Sequence, residues 1–184
     1  MNKKEDYAWN QYEQERHQQG LEPIPAPYKI KIKDDTSLRI QLEELLTQLP
    51  QAYLAEWALA IAQHFLPLMD PQLRNDLRID RASEVFTRRL SGRATAYEVR
   101  QAGFLANQLA KESKTEVSRF AARVFAQSIA TGHMRGHAIV ASDYGIKVVN
   151  LCSPNEKPEV IKERQRQIRQ ARQILQVYLQ AQTK

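Results

Sequence analysis

Two histidines stand four positions apart in the segment Thr131-Gly132-His133-Met134-Arg135-Gly136-His137. At that spacing two imidazoles on one helix face can bind a zinc ion. A zinc-hydrolase helix of this kind has a glutamate directly after the first histidine, whereas Met134 follows His133, and the flanking glycines disfavour a continuous helix. A third ligand would have to be His64 or a carboxylate. Packed or hydrogen-bonded histidines are therefore favoured, and we predict no metal and no cofactor.

Arg123 places a cation in the middle of the most apolar helical segment of the chain. A buried charge without a partner is very costly, so Arg123 must be paired or must line a polar cavity. An ion pair with Asp143 is favoured over a ligand site. Because their helices leave few other polar partners, we expect the histidines, Arg123 and Asp143 to converge. The candidates for this polar cluster, or for partner binding, are His64, Arg123, His133, His137, Asp143 and Tyr144.

No side chain has the surroundings of an activated nucleophile. Cys152 lies in Leu151-Cys152-Ser153-Pro154, away from any helix start or basic neighbour that would lower the pKa of its thiol. The sequence also lacks a Gly-x-Ser-x-Gly elbow and a glycine-rich phosphate loop. We therefore predict that the protein is not an enzyme and has no catalytic residue.

The last helical segment carries a stripe of basic residues that could contact phosphates, namely Lys162, Arg166, Arg169 and Arg172. The apolar residues of the same segment already explain it as a core helix, and no aromatic residues alternate with the basic ones. Nucleic-acid binding through this stripe is therefore an alternative, and not the leading interpretation.

Helices are expected to position the candidate residues, because apolar residues recur at helical spacing from residue 51 onward. Residues 51–66 place Leu54, Trp57 and Phe65 on one stripe, and residues 115–132 are apolar on several sides, which predicts a central buried helix. In residues 137–150, small residues fall on one line and would allow a close approach between helices. The pattern predicts an all-α fold, a compact bundle or stacked array of six to seven helices with an extended N-terminal arm.

Length, composition and charge narrow the class of protein further. The chain has 184 residues, 42% of them hydrophobic, which suits one folded domain with a core. A single cysteine suits a reducing compartment, and no apolar run is long enough for a membrane span or a secretion signal, so we expect a cytoplasmic protein without membrane contact. The net charge is +6, mostly from residues 157–184, which could contact an acidic partner or a phosphate backbone or could equally form the solvated face of a helix.

We predict that the chain divides into two regions, because residues 1–37 lack the helical pattern of the rest. These are an N-terminal segment over residues 1–37 and a helical domain over residues 38–184. Residues 2–19 have weak helical spacing, prolines then keep residues 23–27 extended, and apolar and basic residues alternate over 28–33 as in a strand. A lone strand leaves its backbone groups unpaired. We expect this arm either to lie across the helical body or to pair with a second chain as a homodimer, with a mobile tail as the alternative.

Five segments together resemble the immunity protein family of bacterial polymorphic toxin systems, with the paired-histidine segment the most specific of them. They are residues 57–68, 99–104, 121–123, 130–138 and 141–144. The family usually has an aromatic-alanine pair where this chain has Tyr144-Gly145. The resemblance implies an all-α, alanine-rich, immunity-like domain that neutralises a cognate toxin by binding it.

Two functions of different classes follow. The first is an inhibitor whose partner is a toxin protein. The alternative is a helical ligand-binding protein or enzyme that uses His64, Arg123, His133, His137 and Asp143. The positive net charge argues against a basic nuclease as the toxin, because such a partner would select an acidic inhibitor.

Overall fold

A computed structural model describes residues 15–16, 18–21 and 25–183. Seven α-helices lie wholly within these residues, and no strand occurs among them, so the predicted all-α fold is confirmed. The helices are α1 (Thr36–Thr47), α2 (Gln51–Phe65), α3 (Leu77–Leu90), α4 (Ala96–Glu112), α5 (Glu116–Ala130), α6 (His137–Cys152) and α7 (Lys157–Gln182), with a short 3-10 turn at Leu66–Leu68. The helix expected over residues 2–19 lies largely outside the described residues.

Side-chain oxygens cap the N-terminal ends of four of the helices. Asp35 caps α1 by accepting a hydrogen bond from the backbone N–H of Leu38, and Thr115 caps α5 in the same way. Thr95 and Glu98 form a reciprocal capping box at α4. The cap of α3 is Asp76, whose side chain accepts a hydrogen bond from the backbone N–H of Arg78, and Asp80 lies in the first turn of that helix.

Helix α5 is the centre of the molecule, as its apolar residues predict. It packs against α2, α3, α4 and α6, and its buried side chains are mostly alanine and serine. These small side chains let neighbouring helices come close, and larger ones from α2 and α3 fill the remaining space. The predicted stripe on α2 is buried along its whole length. The largest hydrophobic side chains of the core are Trp57, Phe65, Phe86 and Phe125.

The part of the N-terminal arm that the structure describes from residue 25 onward contacts the helical body. Residues 28–33 do not form the expected strand; the side-chain amide of Asn150 on α6 bonds both backbone groups of Lys33, at 2.8 and 3.0 Å. Closer to the N-terminus, the backbone N–H of Ala26 donates to Glu43 of α1 at 2.7 Å. Ile30 packs against the core. The body thus bonds the backbone groups of Ala26 and Lys33 at the two ends of this segment. The domain division at residue 37 and the homodimer stay predictions.

Gly145 of α6 lies where no side chain fits. A Cβ atom built on Gly145 would stand 2.7 Å from Cε2 and 3.0 Å from Cζ of the Phe65 ring, and Phe65 is fully buried. Ala138 and Ala141 are buried on the same helix. The predicted line of small residues on α6 therefore exists, and at Gly145 it admits an aromatic ring of α2.

Replacing Gly145 by alanine is expected to destabilise the protein, because the new Cβ atom would force the buried ring of Phe65 to shift. Overpacking of this kind costs about 1–3 kcal/mol. The matched control is Gly136→Ala, since a Cβ at Gly136 meets no atom within 4 Å. Urea unfolding should show Gly145→Ala less stable than Gly136→Ala by that amount. Equal stability of the two variants would show that the α2–α6 contact is looser than the structure has it.

Candidate functional site

Four buried charged side chains from four parts of the chain form one ionic network. Arg39 of α1 donates to Asp143 of α6 from Nε to Oδ1 at 3.0 Å and from Nη2 to Oδ2 at 2.9 Å. Arg164 of α7 donates from Nη2 to Asp143 Oδ1 at 2.7 Å and to Asp34 Oδ2 at 2.6 Å. None of the four side chains is more than 3% exposed. We call this set, Asp34, Arg39, Asp143 and Arg164, the buried quartet.

The arm supplies much of the surroundings of the buried quartet. Asp34 directly precedes the cap of α1, so the start of that helix fixes its carboxylate. The hydroxyl of Tyr28 donates to Asp34 at 2.9 Å, and the ring of Tyr28 lies 4.2 Å from the guanidinium carbon of Arg39. Arg39 also donates to the backbone oxygen of Ala26 at 2.7 Å. Removing the arm would therefore leave Arg39 and Arg164 without some of their hydrogen-bonding and ion-pair partners.

In the two arginines of the quartet, ion pairing and hydrogen bonding raise the pKa by more than burial lowers it. Burial alone would lower the pKa of Arg39, but its hydrogen bonds and its attraction to Asp143 raise that pKa above the ordinary value. The pKa of Arg164 is raised in the same way, against the effect of burial, by Asp34 and Asp143. With two cations and two carboxylates the quartet has no net charge. Such a group serves as a structural tie, because none of its members is open to a substrate.

Polar side chains of α6 and α7 extend the network toward α2. The hydroxyl of Ser142 donates to Gln167 Oε1 at 2.7 Å, and Gln167 Nε2 donates to Glu163 Oε1 at 2.8 Å. The indole N–H of Trp57 donates to the backbone oxygen of Gln167 at 3.2 Å. These side chains are buried, and their hydrogen bonds connect α2 to α7.

Arg123 is not the partner of Asp143, so the predicted ion pair between them is wrong. Asp143 pairs with Arg39 and Arg164, while Arg123 donates to the hydroxyl of Tyr144 at 3.2 Å. The guanidinium carbon of Arg123 also lies 5.7 Å from the ring centroids of Phe120 and Tyr144. Arg123 is half-buried and contacts aromatic rings with its charged end, which removes the need for a carboxylate.

His64 lies at the end of α2, beside the start of the extended polar network. Its Nε2 is 3.9 Å from Glu163 Oε2, and its ring meets the edge of Phe65. Burial lowers the pKa of His64, the nearby charge of Arg166 lowers it further, and Glu163 partly opposes both. The side chain is 51% exposed, so this contact is weakly held.

His133 and His137 lie together in the α5–α6 turn and at the start of α6. Their ring centroids are 5.1 Å apart, and His137 Nδ1 is 2.6 Å from Gln127 Oε1. Burial, with a smaller effect from His133, lowers the pKa of His137 from 6.5 to about 4. Burial and the charges of Arg100 and Arg89 lower the pKa of His133. Both rings are therefore neutral at neutral pH.

The structure does not join the six candidates into one cluster. Asp143 belongs to the buried quartet, Arg123 and Tyr144 contact each other, His64 contacts Glu163, and the two loop histidines contact each other. Within the described part of the chain, no group of three or more His, Cys, Asp or Glu side chains could hold a metal ion. Burial raises the pKa of the Cys152 thiol.

The basic stripe on α7 is partly neutralised. Arg166 forms two hydrogen bonds with Glu163, at 2.6 and 2.7 Å, and Lys162 lies 3.5 Å from Glu159. Arg169 and Arg172 are exposed. Arg164, in the middle of the same run, is fully buried. Sequence reasoning missed Arg164, although it shares a helix face with Ile168 and Ala171, and a cation at an inward position signals a buried partner.

A family described as Imm-5 like putative immunity protein matches residues 44–174, which is most of the chain. The chain belongs to the Imm-5 like family. No curated protein and no solved structure matches it. The matched region of this Imm-5 like chain spans α2 to α6 with parts of α1 and α7, so it includes Asp143 and Arg164, whereas Asp34 and Arg39 precede it. None of the helices that the structure describes is both long and apolar enough to cross a membrane.

Replacing Asp143 by asparagine should destabilise this Imm-5 like protein strongly, because two buried guanidinium groups lose their shared carboxylate. Breaking a buried ion pair from one side costs about 3–5 kcal/mol. The control is Glu159→Gln, which removes the exposed partner of Lys162 and should change stability by at most about 1 kcal/mol. Both are measured by chemical unfolding. A loss for Asp143→Asn no larger than the control would mean that the quartet contributes little.

Stability should also fall between about pH 6.5 and pH 4 through His137. Its pKa is about 4 in the folded protein against 6.5 ordinarily, so the unfolded chain binds a proton in this range that the folded chain does not. Stability therefore is complete above 6.5 and is lost as the pH falls toward 4, by about 2 kcal/mol at pH 5.

The variant that tests this pH dependence is His137→Gln, which keeps a polar group near Gln127 and does not titrate. His64 and His133 leave a smaller slope of the same sign, because their pKa values are also lowered. Unfolding curves of both proteins across the pH range give the two slopes. An identical slope in His137→Gln would show that His137 is not the source.

Proposed function

We propose that this Imm-5 like protein neutralises a cognate bacterial toxin in the cytoplasm by binding it, without catalysing a reaction. The observation that carries the proposal is the family match over residues 44–174. The match covers the packed helices, so the body of the fold is the unit that we expect to bind.

The arrangement of charged side chains supports binding over catalysis. The members of the buried quartet are paired with one another, and the remaining candidates have separate partners. A catalytic site needs a base, an activated group and a cavity that receives substrate. The alternative ligand-binding site built from His64, Arg123, His133, His137 and Asp143 is weakened because these residues contact separate partners.

Nucleic-acid binding through α7 is also less well supported than protein binding. Arg166 and Lys162 are close to carboxylates, and among the described residues Arg169 and Arg172 are the exposed cations of the predicted stripe for which no ion pair is seen. Phosphate contacts dominate the affinity of proteins for nucleic acids, so a site with two exposed cations would bind weakly.

The test uses the toxin domain encoded by the neighbouring gene. Expression of that domain alone should arrest growth of a bacterial host, and co-expression of the Imm-5 like protein should restore it. In vitro, the purified proteins should form a complex with one toxin domain for each chain, seen by calorimetry. Neutralisation by binding requires stoichiometric amounts, since each inhibitor molecule occupies one toxin molecule.

Catalytic inactivation gives a different result. An enzyme that modifies the toxin would abolish toxicity at a small fraction of the toxin concentration and would leave a changed mass in the toxin. The control is the same titration with heat-unfolded Imm-5 like protein. Protection at substoichiometric amounts, or no complex at micromolar concentrations, would overturn the proposal.

A further inference from the structure

Helix α4 has an exposed face that carries two aromatic side chains and a cation. Its buried face, which includes Val99, Gly103 and Ala106, packs on α5. On the opposite side Tyr97 is 68% and Phe104 55% exposed, seven residues and thus two turns apart. Arg100 lies between them, with its guanidinium carbon 5.5 Å from the centroid of the Phe104 ring.

The turn between α5 and α6 packs against α4 at the buried side chain of Val99. A Cβ atom built on Gly132 of this turn would stand 3.0 Å from Val99 Cγ1. Met134 of the turn is 36% exposed, and the charge of Arg100 is near enough to lower the pKa of His133, after the larger effect of burial. We call Tyr97, Arg100, Phe104 and Met134 the α4 stripe.

Among the residues that the structure describes, no carboxylate forms an ion pair with Arg100, so the α4 stripe carries a positive charge. Its polar neighbours Gln101 and Gln108 are uncharged and exposed. Glu98, one residue after Tyr97, hydrogen-bonds to Thr95 and Arg88. Arg89, on the neighbouring helix, donates to the backbone oxygen of Gly132 and adds a second positive charge. The face therefore attracts a negatively charged partner.

The residue types of the α4 stripe are those found at the centres of protein interfaces. Tyrosine, arginine, phenylalanine and methionine are enriched there, and tyrosine and arginine are frequent among residues that dominate the binding energy. Single exposed apolar residues are common on any protein surface. Here two aromatic rings and a cation lie within two turns of one helix, and an exposed methionine lies in the turn that packs against that helix, which is a more specific arrangement.

We propose that the α4 stripe is the surface that contacts the toxin, and that the toxin presents acidic side chains around an apolar hollow. This inference rests on the proposed function. The apolar hollow would receive the rings of Tyr97 and Phe104, and an acidic group would pair with Arg100. The Arg100–Phe104 contact already restricts both side chains, so less conformational entropy is lost on binding.

Two other occupants fit the α4 stripe less well. Duplex DNA carries about one negative charge for every 1.7 Å of its axis, whereas Arg100 is the single cation of the stripe between Tyr97 and Phe104. A second copy of this chain bound through the same face in a symmetric dimer would bring two like-charged stripes together. An acidic protein surface meets neither difficulty.

The test compares toxin affinity between surface variants by calorimetry. Arg100→Glu, and separately the double variant Tyr97→Ala with Phe104→Ala, should each weaken binding of the neighbouring-gene toxin domain by about 10–100-fold. The matched controls are on α7: Arg172→Glu for charge, and Val177→Ala with Leu179→Ala for apolar area, since those two are 57% and 54% exposed. The controls should bind as the wild type does. All positions are exposed, and thermal unfolding checks that every variant is folded.

Each other result has a defined meaning. If the wild type binds the toxin domain and neither α4 variant loses affinity, the α4 stripe is not the binding surface. The proposed function is unaffected by that result. No toxin binding by the wild type overturns both. Binding to a DNA duplex of about 20 base pairs that is lost only in Arg100→Glu, with toxin affinity unchanged, assigns the face to nucleic acid. A dimer in light scattering that Phe104→Ala dissociates, again with toxin affinity unchanged, assigns the face to a second copy.

Discussion

The buried quartet is the interaction on which the arrangement of the outer helices depends. Moving four charged groups out of water is very costly, and the cost is offset only when every charge has a well-placed partner. Asp143 must reach Arg39 and Arg164 together, and Asp34 must reach Arg164, within hydrogen-bonding distance. These distances fix α1, α6, α7 and the arm relative to one another. An apolar contact of the same area would allow sliding between helices, whereas this network does not.

The inner helices are held by a different device, the small size of the side chains on α5 and α6. Where a helix carries alanine, serine or glycine, a neighbour approaches closely or inserts a large side chain. The Phe65 ring against Gly145 is one example, and Gly103 of α4, whose Cβ would lie 3.6 Å from Ala130 Cβ, is another. Gly145 also adjoins the quartet, since it follows Asp143 by two residues on α6. Close packing and charge pairing therefore constrain the same helix from two sides.

Much of the fold could be predicted from the sequence, because helical periodicity and helix-ending residues are local signals. The stripe on α2, the central position of α5 and the close-packed line on α6 all follow from residue types at fixed spacing. The pairing of the polar residues could not be predicted in the same way. Periodicity indicates that Arg123 and Asp143 face inward, but it does not say which distant helix supplies the partner. Arg39 and Arg164 are separated by more than a hundred residues and meet only in the folded chain.

Arg164 shows how composition can hide a functional distinction. The C-terminal segment is basic, and its cations look equivalent when counted, yet Arg164 is fully buried and Arg172 is exposed. Helical phase separates the two, because Arg164 lies in line with the inward residues of α7. The same consideration applies to Asp34, which follows a run of alternating lysines and whose side chain is turned into the body by the start of α1.

The division between internal charges and surface charges also bears on recognition. The charged side chains of the buried quartet cannot pair with a second protein unless the packing of α1, α6 and α7 is disrupted. They therefore make the fold rigid and do not contact a binding partner directly. Specific binding must then use exposed groups on a surface whose position is already fixed. Helix α4 meets this condition, because its buried face packs on the central helix α5 and its capping box holds its first turn. A rigid surface that carries aromatic side chains loses little entropy on binding, which is the property that a tight inhibitor requires.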